Sequence, residues 1–399
     1  MEVALSKRLE GIGEYYFSQK LRQIDEMNNE GLAVLNLGIG SPDLPPHPTV
    51  IATLQSTAAA PNAHAYQSYR GVPALREAMA SWYQQYYGVS LDATSEILPL
   101  LGSKEGILHI CMTFLNKGDK VLVPDPGYPT YQSAVSLAGG KCISYRLEAK
   151  NNFQPDFAKL EKKGLNNVKL MFVNYPHMPT GQPPTRALFE KLVQFATKHH
   201  ILLIHDNPYS FILNKQPLSL LSIPGANKVV LELNSLSKSL NMAGWRVGML
   251  CGQADRINAV LRFRSNMDSG MFLPIQLAAA KALTLESDWY DQLNQEYTRR
   301  REKVFELLSL LKCSFSREQA GLFIWAKVPL ETTTLSTQHA LGRGGAFSDE
   351  ILNQARVFVT PGGIFGAAGK SYIRISLCAT VEKFQQAIDR IIDYKKRGG

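Results

Sequence analysis

VKLMFVNYP (168–176), HILLIHDNP (200–208) and KVVLELNS (228–235) share one pattern, a near-continuous apolar run that ends in polar residues. A strand exposed on one face would alternate, so such runs predict strands covered on both faces. DKVLVPDP (119–126) and RVGMLCG (246–252) read the same way. Amphipathic stretches lie between them: KEGILHICMTFLN (104–116), YPTYQSAVSLAG (128–139) and TRALFEKLVQFATKHH (185–200). Buried strands alternating with helices predict an α/β fold with a mostly parallel, doubly wound sheet.

After about residue 285 the rhythm changes. The charged helical stretch 288–311 leads to the shorter runs GLFIWAKV (321–328) and SYIRISLC (371–378), then to a closing helix. We therefore expect a large domain over 46–284 and a smaller α+β domain built from 1–45 and 285–399. Gly, Ser and Thr content makes 332–350 the expected flexible loop.

Composition narrows the class. The 399 residues are 45% hydrophobic and 19% charged, as in ordinary globular proteins. No stretch approaches the ~20 apolar residues of a membrane span, and the N-terminus lacks the apolar core of a signal peptide. Five cysteines without CxxC pairs read as reduced thiols in a cytoplasmic protein, with no metal site. The net charge of +9 is scattered, without the stripe or module of a nucleic-acid binder. A field that attracts small anionic substrates is the better use of it.

In open α/β sheets, ligands collect beyond the carboxyl ends of the strands. Here those ends carry Asn174, Asp206 with Tyr209 just after it, and Ser235, Ser237 and Lys238. LGSKEG (101–106) opens a helix whose free N–H groups suit a phosphate. Lys238 can form an imine with an aldehyde if its amine is deprotonated. Ser103, Lys104, Ser235, Ser237 and Arg246 can surround a phosphate. Asp206 can pair with a protonated ring nitrogen, Tyr209 can donate to a phenolate, and Tyr128 can stack on an aromatic ring. Aldehyde, phosphate, basic ring nitrogen and phenolate occur together in pyridoxal phosphate. Taken alone, Lys238 reads as a solvated charge and Asp206 as a turn former; their order along the chain favours function. The Gly38-x-Gly40 and Gly11-x-Gly13 pairs lack the third glycine and the context of a dinucleotide loop.

With these residues in view, the chain resembles the class I/II aminotransferases among the fold-type-I pyridoxal-phosphate enzymes. The likeness runs nearly its whole length, through NLGIGSPDLPPHP, YQSYRGVPALREAMA, LGSKEGILH, VLVPDPGYPTY, NYPHMPTG, HDNPY, SLSKSLNMAGWRVG and YIRISL. It looks most similar to the branch that includes LL-diaminopimelate and alanine aminotransferases. The resemblance implies that Lys238 holds the cofactor as an imine, with Asp206 on its ring nitrogen and Tyr209 on its phenolate oxygen. Tyr128 stacks on the ring, and Ser103, Lys104, Ser235, Ser237 and Arg246 take the phosphate. Tyr66 matches a tyrosine that reaches the phosphate of a neighbouring subunit, which implies a homodimer with shared sites. Gly40 and Arg374 match the α-carboxylate site, and Tyr15 a substrate contact. Substrates are then an amino acid and a 2-oxo acid, with glutamate and 2-oxoglutarate as one expected pair.

One position departs from the pattern. Where the family usually carries the Asn of Asn-Pro-Thr-Gly, Met178 stands, and a thioether cannot donate a hydrogen bond. Either Tyr209 serves the phenolate alone, or His177 or Asn174 moves in. A carbon–sulfur β-lyase on the same scaffold would share every cofactor residue and differ in the substrate's fate. A pyridoxal-phosphate-sensing regulator would need a DNA-binding module, for which the sequence leaves little room.

Overall fold

The protein's structure, a computed structural model, describes residues 3–330 and 339–397. Seven strands make the main sheet: β1 (Ile97–Leu100), β2 (Lys120–Asp125), β3 (Lys141–Arg146), β4 (Val168–Val173), β5 (Leu202–Asp206), β6 (Val230–Ser235) and β7 (Gly248–Gly252). Their order is β1-β7-β6-β5-β4-β2-β3. β3, β2, β4, β5 and β6 run parallel, while β7 is antiparallel to both β6 and β1.

Eight helices matter for the site: α1 (Tyr16–Asn29), α2 (Ser103–Phe114), α3 (Pro129–Leu137), α4 (Arg186–His199), α5 (Leu236–Ser239), α6 (Ser287–Leu310), α7 (Gly342–Ala355) and α8 (Val381–Lys396). Ile107 and Ile110 of α2 pack with Tyr131 and Val135 of α3 on one face of the sheet. Leu188, Phe189 and Leu192 of α4 cover the other. Each fully buried side chain of this kind is worth about 1.5–3 kcal/mol, which is why the central strands are apolar on both faces. Glu232 is the exception inside β6. Tyr83, Ser219, the backbone N–H of Leu220 and His205 all bond to its carboxylate.

A second, antiparallel sheet follows in the order β10-β11-β9-β8, from β8 (Ser314–Phe315), β9 (Phe323–Lys327), β10 (Thr360–Pro361) and β11 (Tyr372–Ser376). Its core unites Leu307, Phe347 and Phe384 from α6, α7 and α8 with Ile324 and Ile375 of the sheet.

The expected loop at 332–350 is corrected in part. Residues 331–338 lie outside the described residues, but 342–350 belong to α7. A Cβ on Gly344 would collide with the backbone of Tyr372. That glycine permits a close helix–strand approach, where its presence had been read as flexibility. No helix among the described residues is long and apolar enough to cross a membrane.

Candidate active site

The register of the main sheet gathers the polar strand ends. Asn174, Asp206 and Ser235 finish three adjacent parallel strands. β7 starts at Gly248 opposite Ser235, and β1 ends at Leu100 opposite the same Gly248. Arg246, just before β7, and Ser103, just after β1, are thereby brought to the same edge. Two glycines make the junction possible. Gly102 has φ 89° and a Cβ there would strike the Arg246 guanidinium, while one on Gly248 would lie 2.7 Å from the Ser103 amide nitrogen. Gly244, beside Trp245, has open space around it.

A cavity of about 340 Å³ opens at this edge. All the site residues named from the sequence line it, except Tyr66 and His177. Tyr66 is 92% exposed, on the surface of this chain. His177 is buried with Nδ1 on the Thr180 hydroxyl, and burial presses its imidazole down to about 3. Asn174 is spent on backbone: its amide donates to the Asp206 carbonyl and its oxygen accepts from the Met178 N–H. Of the donors considered for the phenolate, Tyr209 lines the cavity, and its hydroxyl makes no hydrogen bond among the described residues.

Lys238 Nζ donates to the carbonyl of Gly40 at 2.8 Å. Burial lowers the amine's proton affinity, and Arg374 and Arg246 push the same way. This is the environment a nucleophilic lysine needs. Asp206 is 5% exposed, and desolvation lifts its carboxyl to about 6, opposed by a hydrogen bond from Tyr131, by His205 and by Lys238. Tyr131 donates to Oδ2 at 2.8 Å, and Oδ1 has no partner among the described residues. Sequence reasoning missed Tyr131; the signal was its place three residues after Tyr128, one turn along α3.

Near α2 the Ser235 and Ser237 hydroxyls lie 2.9 Å apart, with Arg246 Nη1 3.5 Å from Ser237 Oγ. Arg246 holds a left-handed backbone, φ 57°. Ser103 opens the twelve-residue α2, whose free N–H groups face this region.

Arg374 of β11 forms the opposite wall, 4% exposed. Its guanidinium lies over the rings of Phe323 at 3.8 Å and Phe365 at 4.7 Å. Nη2 donates to the Gly38 carbonyl, Nη1 to the Met178 sulfur, and Nε has no partner among the described residues. Burial lowers its proton affinity to about 10, so it stays cationic at neutral pH with donors to spare. The stretch that carries Gly40 is tied to the second sheet. Leu37 accepts from the Ser376 N–H, and Gly38 also accepts from Thr360. Arg300 of α6 grips Asp43 at 2.7 and 3.1 Å while donating to the Leu377 carbonyl.

An unpaired buried carboxylate oxygen is costly unless a ligand completes it. With a lowered-affinity lysine, a serine–arginine cluster at a helix N-terminus and a phenol, the donor set fits pyridoxal phosphate group by group.

The family model for aminotransferase class I and II matches residues 33–391. An LL-diaminopimelate aminotransferase of Dehalococcoides mccartyi is 40% identical, covering 98% of this chain and 99% of the relative. The enzyme of the same name from Aquifex aeolicus is 35% identical, over 98% and 99%. Among solved structures, substrate-bound BacF from Bacillus subtilis is 35% identical with TM-score 0.91, over 98% of both chains. Taken with the site, these likenesses make the chain a member of the class I and II aminotransferases, enzymes that transfer amino groups with pyridoxal phosphate.

Proposed function

We propose that the amino group moves from LL-diaminopimelate to 2-oxoglutarate, with glutamate as product. The name shared by the curated relatives supports this donor. The observation that carries the site assignment is the meeting of Lys238, Arg374 and a half-partnered Asp206 in one cavity.

When bound, pyridoxal phosphate supplies an aldehyde that condenses with amines and a ring that accepts electrons. Ser103, Lys104, Ser235, Ser237 and Arg246 anchor the phosphate through charge and N–H or O–H donors. Asp206 Oδ1 would accept a hydrogen bond from the protonated ring nitrogen, Tyr209 would donate to the phenolate, and Tyr128 would pack on the ring. Arg374 grips the substrate's α-carboxylate, aided by the Gly40 stretch, and Tyr15 contacts the substrate. Lys238 Nζ removes the proton from the substrate's Cα and returns it on the other side of the transfer. Between those moves the Gly40 carbonyl holds the amine.

The working unit in this reading is a cytoplasmic homodimer, with Tyr66 reaching the phosphate of the second subunit. The exposure of Tyr66, Met267 and Phe272 supports such a contact. We divide each chain into a large domain, 46–284, and a small one, 1–45 with 285–399.

A panel of amino acids, each mixed with the loaded protein and 2-oxoglutarate, tests the reading. LL-diaminopimelate is expected to bleach the visible absorption and yield glutamate fastest, and Lys238→Ala to do neither. A faster reaction with another amino acid overturns the substrate, and full activity in the alanine variant overturns the lysine.

A further inference from the structure

Tyr131 is the one side chain among the described residues that donates a hydrogen bond to the Asp206 carboxylate. It is the third residue of α3, 1% exposed, and its ring lies parallel to Phe172 of β4, 9° apart in plane with centroids at 4.7 Å. The stack fixes the ring, and the fixed ring sets Oη 2.8 Å from Oδ2. Burial and the neighbouring carboxylate hold the phenol well above its ordinary range, so the hydroxyl keeps its proton and donates. Oδ1 of the same carboxylate is buried and has no partner among the described residues. One oxygen is thus occupied by a fixed donor, and the other is left for a ligand.

We propose that Tyr131 is a positioning residue that decides whether the proton shared by Asp206 Oδ1 and the bound cofactor's ring nitrogen rests on nitrogen or on oxygen. The inference rests on the assignment of Asp206 to that nitrogen. A proton between two bases settles on the stronger. A hydrogen bond donated to a carboxylate stabilises its charged form and makes it the weaker base, which leaves the proton on nitrogen. Burial pulls the other way and would favour a neutral carboxyl.

The other titratable groups facing Asp206 are His205 beside it in β5, Lys238 of α5, and the phenols of Tyr128 and Tyr209. His205 is already bonded to Glu232 at 2.8 Å, and Lys238 is committed to the aldehyde. Tyr131 is the one of these phenols bonded to the carboxylate, and its loss alters the carboxylate's basicity without removing a charge. A hydrogen bond to an ion is worth enough to change the proton's distribution roughly tenfold or more.

The test uses holoenzymes loaded with pyridoxal phosphate labelled with ¹⁵N in the ring, in wild type, Tyr131→Phe, Phe172→Leu and Asp206→Asn. The ring-nitrogen resonance and the visible absorption are recorded near neutral pH. Asp206→Asn is expected to give the neutral-ring signal. Tyr131→Phe, which keeps the stack on Phe172, is expected to move from the wild-type signal towards it. Phe172→Leu keeps the hydroxyl but frees the ring that the stack holds, and is expected to lie between wild type and Tyr131→Phe. A Tyr131→Phe signal that stays with wild type while Asp206→Asn moves overturns the proposal and leaves the Asp206 assignment standing. An unmoved Asp206→Asn signal overturns that assignment, and the proposal with it. Loss of cofactor binding in Tyr131→Phe alone also overturns it, because the phosphate contacts are untouched.

Discussion

The sulfur of Met178 accepts from Arg374 Nη1 at 3.3 Å, at the position where the family pattern carries an amide. A thioether is a weak acceptor and no donor, so it leaves the arginine's charge almost undiminished and adds nothing to the phenolate. With Asn174 committed to backbone, the proposed site would offer the phenolate Tyr209 alone. Met178→Asn is predicted to lower the pH midpoint of the bound cofactor's visible absorption by about one unit, the worth of one added hydrogen bond to a charged group. A titration with no downward shift relative to wild type would refute this.

Arg374→Lys keeps the charge and discards the planar fork that can hold a carboxylate with two parallel bonds. The predicted loss is about 10- to 100-fold in kcat/KM for the amino acid, with the cofactor's absorption and affinity unchanged. Substrate saturation curves and a cofactor titration on the same samples check both halves.

Asp206 gives the cofactor-free protein a pH signature. Its carboxyl is raised from 3.8 to about 6 by burial, so between those values the folded state binds more protons than the unfolded chain. Stability must then fall as pH rises through that window, by up to about 3 kcal/mol from this one group. Urea unfolding of Asp206→Asn is predicted to show a shallower decline between pH 4 and 6 than wild type.

Asp43 and Arg300 hold a bond that serves stability as much as placement. Arg300 is 1% exposed and the Asp43 side chain partly exposed, with Glu296 as a second acid at 2.8 Å. Removing one partner leaves a buried charge half-compensated; because Asp43 is partly hydrated, the expected cost of Asp43→Ala is about 2–3 kcal/mol. Thermal unfolding of the two proteins measures it.

The central strands were legible because both faces are covered, and the apolar runs at 168–173 and 230–233, each broken by a single charged residue, record that directly. The strand-end residues were legible for the same reason, since a polar cluster that follows an apolar run has few structural excuses. What could not be read was set by contacts distant in sequence. Tyr131 looks like helix packing until Asp206, 75 residues on, is placed beside its hydroxyl. Gly344 looks like a flexible loop until Tyr372 is pressed against it. The aromatic box around Arg374 is drawn from Phe323 and Phe365, and no local pattern joins those two residues.

The stretch from Leu37 to Asp43 works as a gauge between the two sheets. Its ends are fastened to the second sheet and α6, while its middle offers one carbonyl to the amine that grows from the first. The distance between the halves of the molecule is thus transmitted to a single nitrogen. A residue inserted into or deleted from that stretch would detune Lys238, although the stretch contributes only a backbone carbonyl to that contact.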